Sequence, residues 1–331
     1  MFKAVSEAEK SIYLEMYIFQ NDMNKFNFFD LLKKKAREGI KVKIILDLFG
    51  SVKLSKYDIG DLRENGIEIL FLSSLIHRAH RKVLIIDESI AFMGGVNLHQ
   101  SARLWNDLVV RIEGSLIMSI IRSFARSYIG AGGKDIVLIN KIKNKNKIIW
   151  TTVNAWIIDH SPMKYIFKLK ILYKTHLSTA QNHIILVTPY FMPKHWLQVA
   201  IHQALLRGVT VDILVPKRTD HLIIDRVNYF YMKKLSLLGV RFYLKSKMNH
   251  AKLMIIDSDE GMIGSNNLDF LSFDLNSEIG VFFKDKEVVA NLLEITEKWK
   301  KDSILFDYTN YKPKWFDYIL VGLIRLLSKN I

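Results

Sequence analysis

His80-Arg-Lys-Val-Leu-Ile-Ile-Asp87 and His250-Ala-Lys-Leu-Met-Ile-Ile-Asp257 are one phrase written twice, 170 residues apart. Three further pairs keep the same order at nearly the same spacing. Ser11-Ile-Tyr-Leu-Glu-Met-Tyr-Ile-Phe19 resembles His183-Ile-Ile-Leu-Val-Thr-Pro-Tyr-Phe191 at an offset of 172, residues 38–47 resemble 207–216 at 169, and 64–70 resemble 237–243 at 173. Four colinear matches argue for duplication, so the chain reads as two similar halves. Within a half, short β-branched runs (41–46, 67–72, 83–86) are separated by helical patterns such as 28–37, which ends at Gly39 as a helix C-cap would. That alternation predicts α/β layering, with helices packed on a mixed sheet.

The duplication is uneven at its start. A strand (147–153) and a helical stretch (162–181) are predicted ahead of His183, whereas only ten residues precede Ser11. The chain therefore reads as beginning inside its first helix, with roughly 25 or more residues, an edge strand among them, expected before Met1. The run Lys141-Ile-Lys-Asn-Lys-Asn-Lys147 separates the halves and is the linker candidate. The expected boundaries are 1–140 for the first domain, 141–310 for the second and 311–331 for a C-terminal amphipathic helix. In that helix Trp315, Phe316, Ile319, Leu320, Leu323, Ile324 and Leu327 recur at helical spacing. It either packs on its own domain or lies among lipid headgroups, helped by Lys312, Lys314, Arg325 and Lys329.

Composition narrows the partners. The 331 residues hold 48 Lys+Arg against 33 Asp+Glu, a formal charge of +15, with half of the residues apolar and no cysteine. Disorder, a disulfide scaffold and Cys-ligated metal sites are excluded. The charge asks for an anion: nucleic acid, an acidic membrane surface or a phosphate-bearing substrate. The most apolar stretch, 318–327, is about half the roughly 20 residues of a membrane-crossing helix, and Arg325 interrupts it. The first ten residues lack the apolar run of a signal peptide.

An imidazole and an ammonium on one face of a strand suit a phosphoryl group. His80 and Lys82 share a parity, as do His250 and Lys252. Lysine offers a point charge to the oxygens, and histidine can act as nucleophile or proton carrier near neutral pH. Asp87 and Asp257, counted with the catalytic set as members of the motif, have the opposite parity, which suits a structural bond into the following turn. Gly94 and Gly264 come fourteen residues after each His, and Asn97 and Asn267 seventeen after. Glycine lets backbone pass close to a ligand, and an Asn amide can donate to a phosphate oxygen.

These residues resemble the phospholipase D superfamily, whose signature His-x-Lys-x4-Asp-x6-Gly-[Gly/Ser]-x-Asn occurs here in both copies. The flanks Thr188-Pro-Tyr-Phe-Met-Pro193, Trp105-Asn-Asp-Leu-Val-Val-Arg-Ile-Glu-Gly114 and residues 264–278 are most similar to bacterial cardiolipin synthases. The resemblance implies two tandem phospholipase D-like α/β sandwich domains forming a pseudo-twofold dimer, with one active site at their junction. It implies a covalent phosphohistidine on His80, with His250 as the general acid and then base. Lys82, Lys252, Asn97, Asn267 and Ser265 would hold the phosphate. Each imidazole should have a carboxylate orienting it. Glu278 lies 28 residues after His250, where the superfamily carries this glutamate; the first-half counterpart is Asp107, 27 residues after His80. Gly95 stands where the second half has Ser265. No cofactor and no divalent metal are implied.

The implied activity is transfer of a phosphatidyl group between phospholipids, for example two phosphatidylglycerols giving cardiolipin and glycerol. Its rivals are hydrolysis to phosphatidic acid, a nucleic-acid phosphodiesterase and a non-catalytic membrane protein. The implied partners are an anionic phospholipid substrate and an acidic membrane surface, rather than nucleic acid. The implied place is peripheral, on the cytoplasmic side of a bacterial cell membrane.

Overall fold

The computed structural model describes residues 1–72, 77–143, 154–162 and 166–329. In the first half, β1 (Ser11–Met16), β2 (Lys41–Leu46), β3 (Glu68–Phe71), β4 (Lys82–Ile86), β5 (Ile90–Gly94) and β6 (Val109–Glu113) form one sheet in the order β3-β2-β1-β4-β5-β6. β1, β2 and β3 are parallel, so helical crossovers must join them. After the short α1 (Phe2–Ser6), these crossovers are α2 (Phe28–Arg37) and α3 (Lys56–Glu64). Asn27 caps α2 through the Asp30 N–H, Ser55 and Asp58 form a capping box on α3, and Gly39 closes α2 at φ +87°. β4, β5 and β6 follow as antiparallel neighbours.

The second half repeats this plan with additions at both edges. Its strands are β7 (Ala155–His160), β8 (His183–Val187), β9 (Phe191–Met192), β10 (Thr210–Pro216), β11 (Arg241–Lys245), β12 (Leu253–Ile256), β13 (Glu260–Gly264), β14 (Leu268–Asp269), β15 (Glu278–Phe283) and β16 (Ser303–Leu305). Eight form a sheet in the order β16-β11-β10-β8-β12-β13-β15-β7, while β9 and β14 pair separately. The six places β11-β10-β8-β12-β13-β15 reproduce β3-β2-β1-β4-β5-β6, and the register agrees, with Ile12 opposite Val42 and Ile184 opposite Val211. β15 has the further neighbour β7; β6 has none among the described residues.

The remaining helices are α4 (Ile117–Gly130), α5 (Ile136–Lys143), α6 (Lys168–Thr179), α7 (His195–Leu206), α8 (Leu222–Ser236), α9 (Phe270–Asp274), α10 (Lys286–Lys301) and α11 (Trp315–Lys329). The linker candidate 141–147 starts inside α5 and then passes outside the described residues, where the expected strand 147–153 also lies.

Strand alternation sorts side chains into layers. Ile12 and Leu14 pack outward on Phe28, Phe29 and Leu32 of α2. Tyr13, Val83 and Ile85 turn inward and share a core with Leu253, Ile255 and Val281 of the other sheet. Ile184 and Leu186 pack outward on α6, α7 and α8. Helices α4, α5 and α10 add Phe124, Leu138 and Leu292 to that shared core, so the order is helix, sheet, helix, sheet, helix. Each large apolar side chain in the shared core contributes about 1.5–3 kcal/mol, which joins the halves into one body.

α11 packs against α8. Arg226 donates to buried Asp317 at 2.6 and 3.0 Å, Phe230 meets Tyr318, and Arg325 reaches Tyr231, so the two helices run in the same direction. Leu320, Val321 and Ile324 face the core, whereas Trp315, Tyr318, Ile319, Leu323 and Leu326 are exposed. The apolar set seen in the sequence thus divides between two faces of the helix.

Candidate active site

The two His-Lys segments meet at the carboxyl ends of the parallel strands, the edge where open α/β sheets hold ligands. β4 runs antiparallel to β1, which sets Lys82 opposite Met16, the last residue of β1. β12 stands likewise against β8, with Leu253 opposite Val187. A cavity of about 340 Å³ opens there, lined by His80 and Asn97 from one half and His250 and Asn267 from the other.

Main-chain bonds between the halves build this junction. The His80 N–H donates to Ser277 O at 3.0 Å, and the Ser277 N–H to Arg78 O at 2.8 Å. In the mirror arrangement, the His250 N–H donates to Asn106 O at 2.7 Å, and the Asn106 N–H to Met248 O at 2.8 Å. The residue after each bridging partner is the carboxylate. Glu278 lies 3.0 and 3.1 Å from His80 Nδ1, and Asp107 lies 2.8 Å from His250 Nδ1. Each carboxylate therefore orients the histidine of the opposite half. With Nδ1 engaged as donor, Nε2 of each ring is left with its lone pair.

The two carboxylates are supported differently. Glu278 also accepts from Ser265 Oγ and, at 2.8 Å, from Ser272 Oγ. Ser265, expected on the phosphate, is instead fully buried behind the histidine and spends its hydroxyl on Glu278, while its oxygen accepts from the Ile279 N–H at 3.0 Å. Asp107 has the Leu108 N–H at 2.8 Å. A Cβ on Gly95 would overlap Asp107 Oδ1, so Gly95 makes room for the shorter carboxylate where the second half uses Ser265 with the longer one.

Asp87 and Asp257 stand away from this pocket, which corrects their place in the catalytic set. Asp87 and Glu88 have φ +50° and +52°, and Asp257 and Ser258 +51° and +63°, the backbone of a tight hairpin turn that Asp tolerates. The Asp87 carboxylate accepts from the N–H groups of Glu9, Lys10 and Ser11, at 2.9, 2.7 and 2.8 Å. Asp257 does the same for Gln181, Asn182 and His183, at 2.7, 2.7 and 2.9 Å. The bonds run to the entry of β1 and β8, not into the turn that follows. Each Asp pins a hairpin to the neighbouring strand.

Burial shapes the titration of the reacting groups. It pushes His80 below its usual value, against the pull of Glu278, and pushes His250 down to about 4, helped by Lys252 and opposed by Asp107. Lys82 is lowered to about 7 and Lys252 to about 8, chiefly by burial, with nearby carboxylates opposing. Lys82 Nζ donates to His80 O at 2.8 Å, and Lys252 Nζ to His250 O. Asn97 Oδ1 accepts from the Ile18 N–H at 3.2 Å, whereas Asn267 Oδ1 is buried without a partner among the described residues.

Several residues of the pocket were not singled out by the motifs. Tyr17 sets its ring edge against His80 at 4.5 Å, and Trp105 lies 5.1 Å from His250. Tyr190 lines the cavity with Asp220, His221 and Asp269. Burial lifts the Asp269 carboxyl to about 6, while the Ser272 N–H bonded to it pulls the other way. Arg81 is buried between the halves and donates to Ser123 and Ser127 Oγ, each at 3.1 Å, and to Asp159. Its signal in the sequence was the break in symmetry, Arg81 against Ala251.

A family model described as "Cardiolipin synthase, PLD-like domain" matches residues 1–128 and 173–299. The chain is 30% identical over 346 residues to "Probable cardiolipin synthase YwiE" of Bacillus subtilis, covering 99% of this chain and 69% of that protein. It is also 30% identical over 350 residues to a cardiolipin synthase of Geobacillus sp. (strain WCH70), covering 99% and 69%. Among solved structures, phosphatidylserine synthase of Haemophilus influenzae superposes with a TM-score of 0.75 at 15% identity, over 99% of this chain and 91% of that one. That last likeness concerns the fold.

Proposed function

The chain belongs to the cardiolipin synthase, phospholipase D-like domain family, and on that footing we propose that His80 and His250 move a phosphatidyl group through a covalent phosphohistidine. The enzyme is a phosphatidyltransferase of the cardiolipin synthase type. One observation carries the assignment of residues: two imidazoles, one from each half and each anchored at Nδ1 by a buried carboxylate, line a single cavity.

In the first step His80 Nε2 attacks the phosphorus of phosphatidylglycerol, and the P–O bond to the headgroup glycerol breaks. His250, as imidazolium, gives its proton to the leaving alkoxide. An anionic phosphodiester beside His250 favours that charged form over the neutral one that burial favours. In the second step neutral His250 takes the proton from a glycerol hydroxyl of another phosphatidylglycerol. That oxygen attacks phosphorus, the P–N bond breaks, and cardiolipin leaves with His80 restored. In-line displacement requires nucleophile and acid on opposite sides of one phosphorus, which two facing halves provide. Lys82, Lys252 and the amides of Asn97 and Asn267 compensate the equatorial oxygens.

The reading includes peripheral contact with an acidic membrane, on the cytoplasmic side. Among the described residues no helix is long and apolar enough to cross a bilayer. Support for the contact lies around the cavity. Leu222 and Ile223, between lining residues His221 and Ile224, are 78% and 64% exposed, and Leu104, beside Trp105, is 72% exposed. Phe49 lies under the Arg78 guanidinium, and Lys217 and Arg218 add charge just ahead of lining residue Asp220 in the chain. α11 suits that contact at its first turn only. It runs beside α8, which starts at the pocket and leads away, so its exposed stripe does not lie along the mouth.

The test is purified protein on phosphatidylglycerol vesicles, read by mass spectrometry, beside His80→Ala and His250→Ala. Cardiolipin with glycerol, lost in both variants, is the expected result. Phosphatidic acid alone would replace transfer by hydrolysis, and cleavage of single-stranded DNA without lipid turnover would overturn the reading.

A further inference from the structure

The two halves agree at the phosphate and disagree on the pocket walls. At the offset of 172, Tyr190 of the second half corresponds to Ile18 of the first, and both line the cavity. At the offset of 169, Asp220 corresponds to Ser51. Ser51 is buried, and its hydroxyl is used on the main chain, donating to Tyr17 O and accepting from the Phe19 N–H. Asp220, by contrast, lines the cavity and remains 37% exposed at its side chain. Tyr190 Oη donates to Asp220 Oδ1 at 2.6 Å, which fixes the carboxylate; His221 Nε2 stands 3.7 Å from Oδ2, beyond hydrogen-bond distance, so Oδ2 keeps acceptor capacity. The paired asparagines break symmetry in the same sense. Asn97 spends its side-chain oxygen on the Ile18 N–H, whereas Asn267 keeps a buried oxygen without a partner among the described residues. The second-half wall thus offers hydrogen-bond acceptors where the first-half wall is apolar or already bonded.

Acceptors with capacity to spare suit a ligand with hydroxyl groups. A phosphodiester has none on its phosphate, and a diacylglycerol has no free hydroxyl once its third oxygen carries the phosphorus. The alcohol that departs and arrives is the part of the reaction that brings O–H donors. Its side of the phosphorus is also indicated. Tyr190 and Asp220 follow β8 and β10, and β8 pairs with β12, at whose start His250 and Lys252 stand. The charge of Asp220 is felt at Lys252. We propose that Asp220, held by Tyr190, together with Asn267 forms the subsite for the hydroxyl-rich alcohol exchanged at phosphorus, so that a polyol is preferred over a simple alcohol. The subsite rests on the phosphatidyl-transfer reading, with His250 as the proton carrier on the alcohol side. The apolar first-half wall, with Ile18, is left for the diacylglycerol side of the donor.

The full chain is incubated with phosphatidylglycerol vesicles, deuterated glycerol and ethanol together, and the ratio of deuterated phosphatidylglycerol to phosphatidylethanol is read by mass spectrometry. Both products come from one enzyme population, so the ratio does not depend on the folded or active fraction. Asp220→Asn should lower the glycerol-to-ethanol ratio about tenfold, the change that loss of one charge-assisted hydrogen bond supports. Tyr190→Phe, which frees the carboxylate without removing it, should lower the ratio about threefold. Ratios equal to wild type in both variants would overturn the subsite while leaving transfer intact. Absence of both products and of cardiolipin with the wild-type chain would instead overturn transfer itself, and the subsite with it; cardiolipin without either product would overturn the subsite alone.

Discussion

Glu278→Gln is the sharpest perturbation of the site, because it changes one atom in a side chain with no solvent exposure. In the structure its carboxylate accepts from His80 Nδ1, Ser265 Oγ and Ser272 Oγ. Glutamine keeps one acceptor oxygen for the serines, but turns an N–H group toward His80 Nδ1. The imidazole then favours its other tautomer, with the proton on Nε2, and the nucleophilic lone pair leaves the pocket. Loss of the correct tautomer in an oriented imidazole costs on the order of 10⁴-fold in rate, about 5.5 kcal/mol of barrier. The fold should lose less, about 1.5–3 kcal/mol for one hydrogen bond to a charged group, partly offset because a buried charge is gone. The step that fails is informative, since Glu278 sits in the second half but serves the first-half histidine. With a p-nitrophenyl phosphodiester the leaving group needs no proton, so His250 is dispensable for forming the phosphohistidine. On this substrate Asp107→Asn, which disturbs His250, should release p-nitrophenol in a burst and then stall with phosphate on His80. Glu278→Gln should give no burst. A burst of wild-type size in Glu278→Gln, or accumulation of phosphate on His250, would refute the crossed pairing as the basis of reactivity.

Asp87→Ala should cost about 1.5–3 kcal/mol in urea unfolding, because three N–H groups lose an anionic acceptor, with specific activity per folded molecule retained. Loss of turnover without loss of stability would return Asp87 to the chemistry. Gly95→Ala should act at a distance from phosphorus. Its methyl would displace Asp107 from His250 and lower turnover at least tenfold, whereas unchanged kinetics would show that Asp107 does not need its present position. Ligand binding should be linked to protons. Burial lowers Lys82 to about 7 and Lys252 to about 8, and a phosphodiester anion favours their charged forms. Protons are therefore taken up on binding above about pH 7. Calorimetry of short-chain phosphatidylglycerol on His80→Ala at pH 8, in buffers of different ionisation enthalpy, should report net uptake; zero uptake or release would contradict it.

Much of the architecture was legible because it depends on local pattern. The alternation of β-branched residues at 41–46 and 83–86, the cap at Gly39, and the repeated phrase at 80–87 and 250–257 act within a few residues of themselves. Spacing also marked where symmetry breaks, at Gly95 against Ser265, although not what the break does. Tertiary structure decided what spacing does not encode. Glu278 and His80 are 198 positions apart, and Asp107 and His250 are 143 apart; reading each half by itself assigns neither pair. The crossing follows from main-chain bonds between Arg78–His80 and Ser277, and between Met248–His250 and Asn106, which form only when the two sheets close on their shared core. Pairing inside each half turned Ser265 from the phosphate toward Glu278, held Asp87 and Asp257 at the hairpins, and brought Tyr190 and Asp220 to one wall of the pocket. Sequence by itself determined which residue types the chain owns and the periodicity that lays them on strands. Which atoms face the phosphorus is a matter of distances below about 3.5 Å between segments far apart in the chain, and packing alone sets those.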